Sequence, residues 1–336
     1  MRKGVLSFVL VIMVVFLAAC GGKETAGDSE KSNESGGKIT IKFAHSAVES
    51  NSRHEAALKF KSLVEEKSNN EITVEVFANE VLGSEPQMVE GVAFNDIQMV
   101  AASTYAQYEP KVDVFGLPFL FESNEQAWEM LDGPIGEEVF SGLLDNNLRV
   151  LGHFENGFRH VTNNSKPIEK VEDLKGLKIR TPEMPILVSI FEALGSNPTP
   201  MAFGELYMAL QQGTVDGQEN PISNIHASKF YEVQDYLSLT GHSYSATTVA
   251  ISDEFWQTLS PELQEIVQSS LKEASTFHRN LVMEEEETLL KELEEAGMNV
   301  NRPDIATFRE ASQAVYEEYE DTYGKDLIDR ILKELE

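Results

Sequence analysis

A single cysteine, Cys20, stands among 336 residues, so the chain can form neither an internal disulfide nor a cysteine-built zinc cluster. Cations are scarce too: 27 Lys and Arg face 56 Asp and Glu, a formal charge of -29, and no basic stretch follows the first three residues. Such a chain cannot neutralise a run of phosphates, which argues against nucleic acid as a partner. The local signatures of catalysis are also missing. None of the seven histidines forms an HExxH motif or a close pair backed by a carboxylate, so no metal is expected. There is no GxSxG elbow, no Walker loop and no GxGxxG turn, and no cofactor is called for. Acids are so numerous that a hydrolytic carboxylate pair could be assembled from many of them, so their presence carries no information. What the chain does have is 41% hydrophobic residues and a length that allows about two domains, which excludes a disordered polymer.

One long apolar run, Val5 to Leu17, follows the cations Arg2 and Lys3 and ends in Leu17-Ala18-Ala19-Cys20. It is short for a membrane span and suits the hydrophobic region of a secretory signal. The box ending in Cys20 resembles a bacterial lipobox, which implies a signal over 1–19 and lipidation of Cys20. Residues 20–37 are rich in Gly, Ser, Glu, Lys and Asn, too polar to repay ordering, and read as a flexible lipidated tether.

From Ile39 the pattern changes. Ile39, Ile41 and Phe43 alternate with polar neighbours, a helical stretch runs from Arg53 to Lys67, and Ile72, Val74 and Val76 alternate again. Strand, helix, strand is the unit of a parallel sheet. A helix near Pro86 to Phe94 and a strand from Ile97 to Ala101 extend it. Further strands are expected at Arg149–Phe154, Leu177–Arg180 and Val215–Gln218, with helices at Ile186–Leu194 and Gly204–Gln212, a second α/β unit. Ser260-Pro261 offers an N-cap and first-turn pair, and neither Gly nor Pro interrupts the chain until Gly297. Some 36 positions could be helical, about 54 Å at ~1.5 Å each. So long a helix is expected to brace both units; two helices broken near Phe277 to Asn280 are the alternative.

Beyond Cys20 there are only eight arginines. Arg159 follows Asn156-Gly157-Phe158 just after a predicted strand, and Arg180 ends another, with Pro182 beyond it. Ligands of α/β sheets bind at the carboxyl ends of strands, and a guanidinium fork matches a carboxylate. An anion site is the inference.

The stretch Pro200-Met201-Ala202-Phe203-Gly204-Glu205-Leu206-Tyr207 through Gly213-Thr214-Val215-Asp216-Gly217-Gln218-Glu219-Asn220-Pro221 resembles the solute receptors of tripartite ATP-independent periplasmic (TRAP) transporters, the DctP-like family. Asp173 to Arg180, Gly157-Phe158-Arg159 and Phe230-Tyr231-Glu232-Val233 match it in the same order, so the likeness covers about 38–336. The resemblance implies an α/β fold of two lobes like that of periplasmic binding proteins, with a long helix spanning both. Lobe I would take 38–157 plus 246–285, and lobe II 158–245 plus 286–336. It implies a receptor, not an enzyme, that closes over an organic acid and hands it to the small and large membrane subunits of a permease. The expected form is a monomer anchored through Cys20 on the outer face of the cell membrane.

By the same resemblance, Arg180 is the main carboxylate-binding arginine and Arg159 the second. Asn220 is the pocket asparagine, Phe203 its aromatic wall, Glu85 an acceptor for ligand hydroxyls and His45 a further pocket candidate. Two cations with Glu85 and Asn220 suit a polyhydroxylated monoacid, since Glu accepts from hydroxyls but repels a second carboxylate. A hexuronate or related sugar acid is expected first and a C4-dicarboxylate next. An exported carboxylate-dependent hydrolase and a receptor of an ATP-driven importer are the alternatives.

Overall fold

The computed structural model describes residues 38–336; the expected signal, Cys20 and the expected tether lie outside them. Alternation of buried and open residues makes β1 (Ile39–His45), with Ile41 and Phe43 fully buried. Asn51 caps α1 (Ser52–Lys67) by accepting the Arg53 amide at 2.9 Å, satisfying one of the donors every helix leaves free at its start. The apolar face of α1, Ala56, Ala57, Phe60 and Val64, lies on the strands, with Phe43 edge-on to Phe60 at 5.5 Å. Each such large side chain contributes roughly 1.5–3 kcal/mol by leaving water.

The chain continues through β2 (Ile72–Phe77), α2 (Glu85–Ala93), β3 (Met99–Ala102), α3 (Asn124–Leu131), α4 (Pro134–Ser141) and β4 (Leu148–Phe158). A second group follows: β5 (His160–Asn163), β6 (Lys178–Thr181), α5 (Pro185–Ala193), β7 (Asn197–Pro200), α6 (Phe203–Gln211), β8 (Gly217–Asn220), α7 (Ile222–Ala227) and β9 (Tyr236–Ser238). Then come β10 (Tyr244–Ser252), α8 (Asp253–Trp256), α9 (Pro261–Glu295), β11 (Asn299–Asn301), α10 (Ile305–Glu318), α11 (Glu320–Tyr323) and α12 (Lys325–Glu334).

These strands form two sheets, β2-β1-β3-β10-β4 and β11-β9-β5-β8-β6-β7. Both mix directions: β1 runs parallel to β2 and β3, whereas β10 is antiparallel to β3 and β4. In the second sheet β6 is parallel to β7 and β8, and β5 is antiparallel to β8 and β9. Strand β7 was hidden from sequence reading by Pro198 and Pro200; it sits at the sheet edge, where a missing donor is tolerated.

The chain passes from the first sheet to the second through Arg159 and returns between β9 and β10. At the crossing the two strands stay paired, Tyr244 opposite Phe158 and Ser245 opposite Gly157, with an irregularity immediately after Ser245. Gly157 takes a φ of 108°, open to glycine at little cost. The third crossing is α9, one uninterrupted 35-residue helix capped by Ser260 and not broken near Phe277. Leu263, Val267, Leu271 and Ala274 of α9 join the core under the first sheet, and Leu293 joins that of the second. Beyond it, α11 rests on the turn Pro110–Gly116, and Arg330 of α12 pairs with Glu138. No helix among the described residues is long and apolar enough to cross a membrane.

Candidate functional site

A cleft with an empty volume of about 510 Å³, its open mouth included, is lined by residues from both sheets. Arg53, Glu80, Glu85 and Ser103 come from the first sheet's side, and Arg180, Met184, Phe203 and Asn220 from the second's. Asn156 and Arg159 stand at the crossing between them.

Arg180 sits in β6, opposite Thr199 on one neighbour and Gln218 on the other, and is only 2% exposed. Its Nε and Nη2 both donate to the Met201 carbonyl, at 3.0 and 2.5 Å. Nη1 has no hydrogen-bond partner and the guanidinium no carboxylate within ion-pair distance among the described residues. Burial lowers its pKa to about 10, with Glu219 working in the opposite direction. The Phe203 ring lies 5.8 Å from the guanidinium and packs edge-on to Phe230 at 6.0 Å. A fixed, desolvated cation with an idle donor edge is suited to an anion.

Arg159 behaves differently. Its Nε and Nη2 reach the two oxygens of Glu219 at 2.5 and 2.8 Å, and Nη1 donates to Ser245 at 3.1 Å. Both partners are buried, 3% and 0% exposed. Burial pushes the Glu219 carboxyl up, but Arg159 and the His242 contact outweigh it and hold its pKa below the usual range. The second arginine is thus neutralised from within. Glu219 was quoted in the sequence motif, yet nothing in the motif says that it faces Arg159 from 60 residues away.

Asn220 ends β8, where Pro221 halts the ladder. Its Oδ1 accepts from Asn224 at 3.2 Å and from Arg159 at 3.4 Å, and its amide donates to Gln218. Glycine is required at Gly217 in the same strand, because a Cβ there would lie 2.2 Å from the Thr162 carbonyl oxygen. Glu85 opens α2; its Oε1 accepts from Ser46 at 2.5 Å and its Oε2 from the Ser103 amide at 2.9 Å.

His45 is the exception. It does not line the cleft: the ring turns toward α1 and meets His54, Nε2 to Nδ1, at 3.1 Å. Burial first, then the charges of Arg53 and His54, lower its pKa to about 3, so it is neutral at ordinary pH. Sequence reading also missed Arg53, 4% exposed and part of the cleft wall. As the second residue of a helix it carried no sign of function; only the fold brings it beside Ser46 and Asn156.

The family model described as "DctP: Bacterial extracellular solute-binding protein, family 7" matches residues 43–322. The chain is 37% identical over 263 residues to the 2,3-diketo-L-gulonate-binding periplasmic protein YiaO of Escherichia coli, covering 78% of this chain and 80% of that one. It is 32% identical over 302 residues to the C4-dicarboxylate-binding protein DctB of Bacillus subtilis, covering 88% and 86%. In structure it is similar to a TRAP periplasmic solute-binding protein of Polaromonas bound to D-erythronate, with a TM-score of 0.85, 34% identity and coverage of 88% and 98%.

Proposed function

Since the chain belongs to the DctP family of extracellular solute-binding proteins that serve TRAP transporters, we propose that its cleft captures a sugar acid, a hexuronate or a related compound. Family membership makes it an extracytoplasmic receptor for organic acids and not an enzyme, which sets aside both the hydrolase and the ATP-driven importer.

The observation that carries it is the Arg180 guanidinium, buried, fixed by the Met201 carbonyl and idle at Nη1. A ligand carboxylate would take Nη1 and the remaining hydrogen of Nη2 end-on, with each charge-assisted bond contributing roughly 1.5–3 kcal/mol. Phe203 covers the apolar face of the acid, Asn220 offers a polar contact beside it, and Glu85 accepts from hydroxyls on the facing wall. Arg159, already paired, holds the Asn220 end in place. Residues 38–157 with 246–285 form one lobe and 158–245 with 286–336 the other. They close by bending the paired crossing strands, and the C-terminal helices reach back to the first lobe. The loaded receptor passes its acid to the permease subunits for ion-gradient-driven uptake, held at the membrane by the lipid on Cys20.

A C4-dicarboxylate is the second reading, favoured by the likeness to DctB. Glu80, Glu85 and Glu183 in the wall speak against a second carboxylate. Titration calorimetry with a hexuronate, D-galactonate and succinate is the test. Arg180→Lys is expected to weaken the bound acid at least tenfold, because an ammonium cannot reproduce the fork; unchanged affinity refutes the assignment.

A further inference from the structure

Arg53 opens α1 on the first-sheet wall, facing the cleft to which Arg180 contributes from the second. Like Arg180, it is in no ion pair among the described residues. Nη2 donates to Asn156 Oδ1 at 2.6 Å, Nη1 reaches Ser46 Oγ at 3.3 Å, and the buried Nε has no partner. Ser46 Oγ in turn donates to Glu85 Oε1 at 2.5 Å. One hydroxyl therefore stands between a group that can only donate and a group that can only accept. The Ser103 amide fixes the other carboxylate oxygen, so Glu85 is aimed as well as placed. Burial lowers the guanidinium's pKa, and Glu85 is the charge that works against this.

We propose that Arg53 and Glu85 act together as a hydroxyl-reading subsite, Arg53 donating to and Glu85 accepting from one ligand hydroxyl, as they now do for Ser46. The inference rests on the reading of Arg180 as the carboxylate clamp and adds Arg53 as a specificity-determining residue on the opposite wall. A hydroxyl both accepts and donates, so it answers both groups at once. A methylene offers the two groups nothing beyond Ser46, and a second carboxylate satisfies Arg53 only by meeting the Glu85 charge. The ligand class selected is a monoacid carrying hydroxyls away from its carboxylate.

Titration calorimetry on the full chain with D-galactonate and with succinate tests this. Arg53→Met keeps the apolar stem and removes every donor; it is expected to weaken galactonate at least tenfold and succinate less than threefold. Glu85→Gln is expected to weaken galactonate as well and to leave succinate unmoved or bound more tightly, since the charge that a second carboxylate would meet is gone. The double variant should lose little more than the worse single one, since both groups act on one hydroxyl. If thermal melting shows that Arg53→Met does not fold, Arg53→Lys carries the test, with at least a threefold loss for galactonate and succinate unmoved. Equal losses for the two acids, additive losses in the double variant, or unmoved galactonate binding each overturn the inference and leave Arg53 as a tie between α1 and Asn156. If the wild-type chain ignores galactonate but binds succinate in an Arg180-dependent way, the subsite fails while the clamp stands. Binding of either acid that survives Arg180→Lys intact overturns the clamp itself.

Discussion

The carboxylate of Glu80 accepts the backbone N–H of Gly204 at 2.8 Å, so a side chain from the turn after β2 caps a helix that follows β7 in the other sheet. Helix α6 has no side-chain cap of its own; Ala202 stands at that position. Gly204 admits the contact because a Cβ there would come within 2.7 Å of the Glu80 oxygen. The cap therefore bridges the cleft mouth beside Phe203, and a latch at that point is expected to slow ligand release.

Replacing Glu80 with Ala is expected to cost about 0.5–2 kcal/mol, the usual worth of a helix cap, felt mainly as faster ligand release. Burial raises the Glu80 pKa, so acidification should loosen the latch earlier than it would for an exposed glutamate. Stopped-flow release rates for the variant, with its fold checked by circular dichroism, decide the matter; an unchanged rate removes the latch.

The Arg159–Glu219 pair makes a different kind of demand. Deleting one member of a buried ion pair strands the other, at a cost of roughly 3–5 kcal/mol. Glu219→Ala should therefore destabilise the apo protein more than most ligand-contact substitutions do, visible as a lower urea midpoint. A midpoint within error of wild type would mean that Arg159 finds another partner.

Glu155, one strand position from Asn156, is buried with Trp128 and Tyr244 donating to its carboxylate, and its Oε1 has no partner among the described residues. Burial, which outweighs those donors, raises its pKa to about 7. The unfolded chain releases this proton near pH 4.5, so the stability it lends is present below that pH and is lost as pH rises toward 7. Relative to wild type, Glu155→Gln should become progressively more stable from pH 5 to 8. The comparison must be differential, because His153, with its pKa lowered to about 4 by burial, pulls stability the other way below pH 6.5. Melting temperatures that track in parallel across the range would refute it.

What the sequence disclosed was periodic or rare. Alternation exposed β1 and β2, and Ser260-Pro261 with an unbroken run exposed α9. Scarcity singled out Arg159 and Arg180 in an acidic chain. Partnership was not legible. Arg159 and Glu219 meet across antiparallel strands, and Arg53 reaches Asn156 over a span of 103 positions, so their roles depend on topology that composition does not encode. His45 was misjudged for the same reason: a histidine at a strand's end points to whichever side the pleat dictates, and here that side holds His54. Glu80 was invisible because nothing in a turn announces which helix lies across from it.

The internal neutralisation of Arg159 bears on how the ligand arrives. With that charge cancelled, the cations left to draw in an acid are Arg53 and Arg180, both nearly sealed from solvent, within a chain of formal charge -29. At low ionic strength, where surface charges act well beyond the ~10 Å they reach at about 0.1 M salt, an approaching anion meets a repulsive field. Attraction begins only at the threshold of the cleft. Dissolved salt, which slows capture in proteins that steer their ligands electrostatically, should here hasten it by screening the repulsion, so that the receptor works best in media where its own surface charge is least felt.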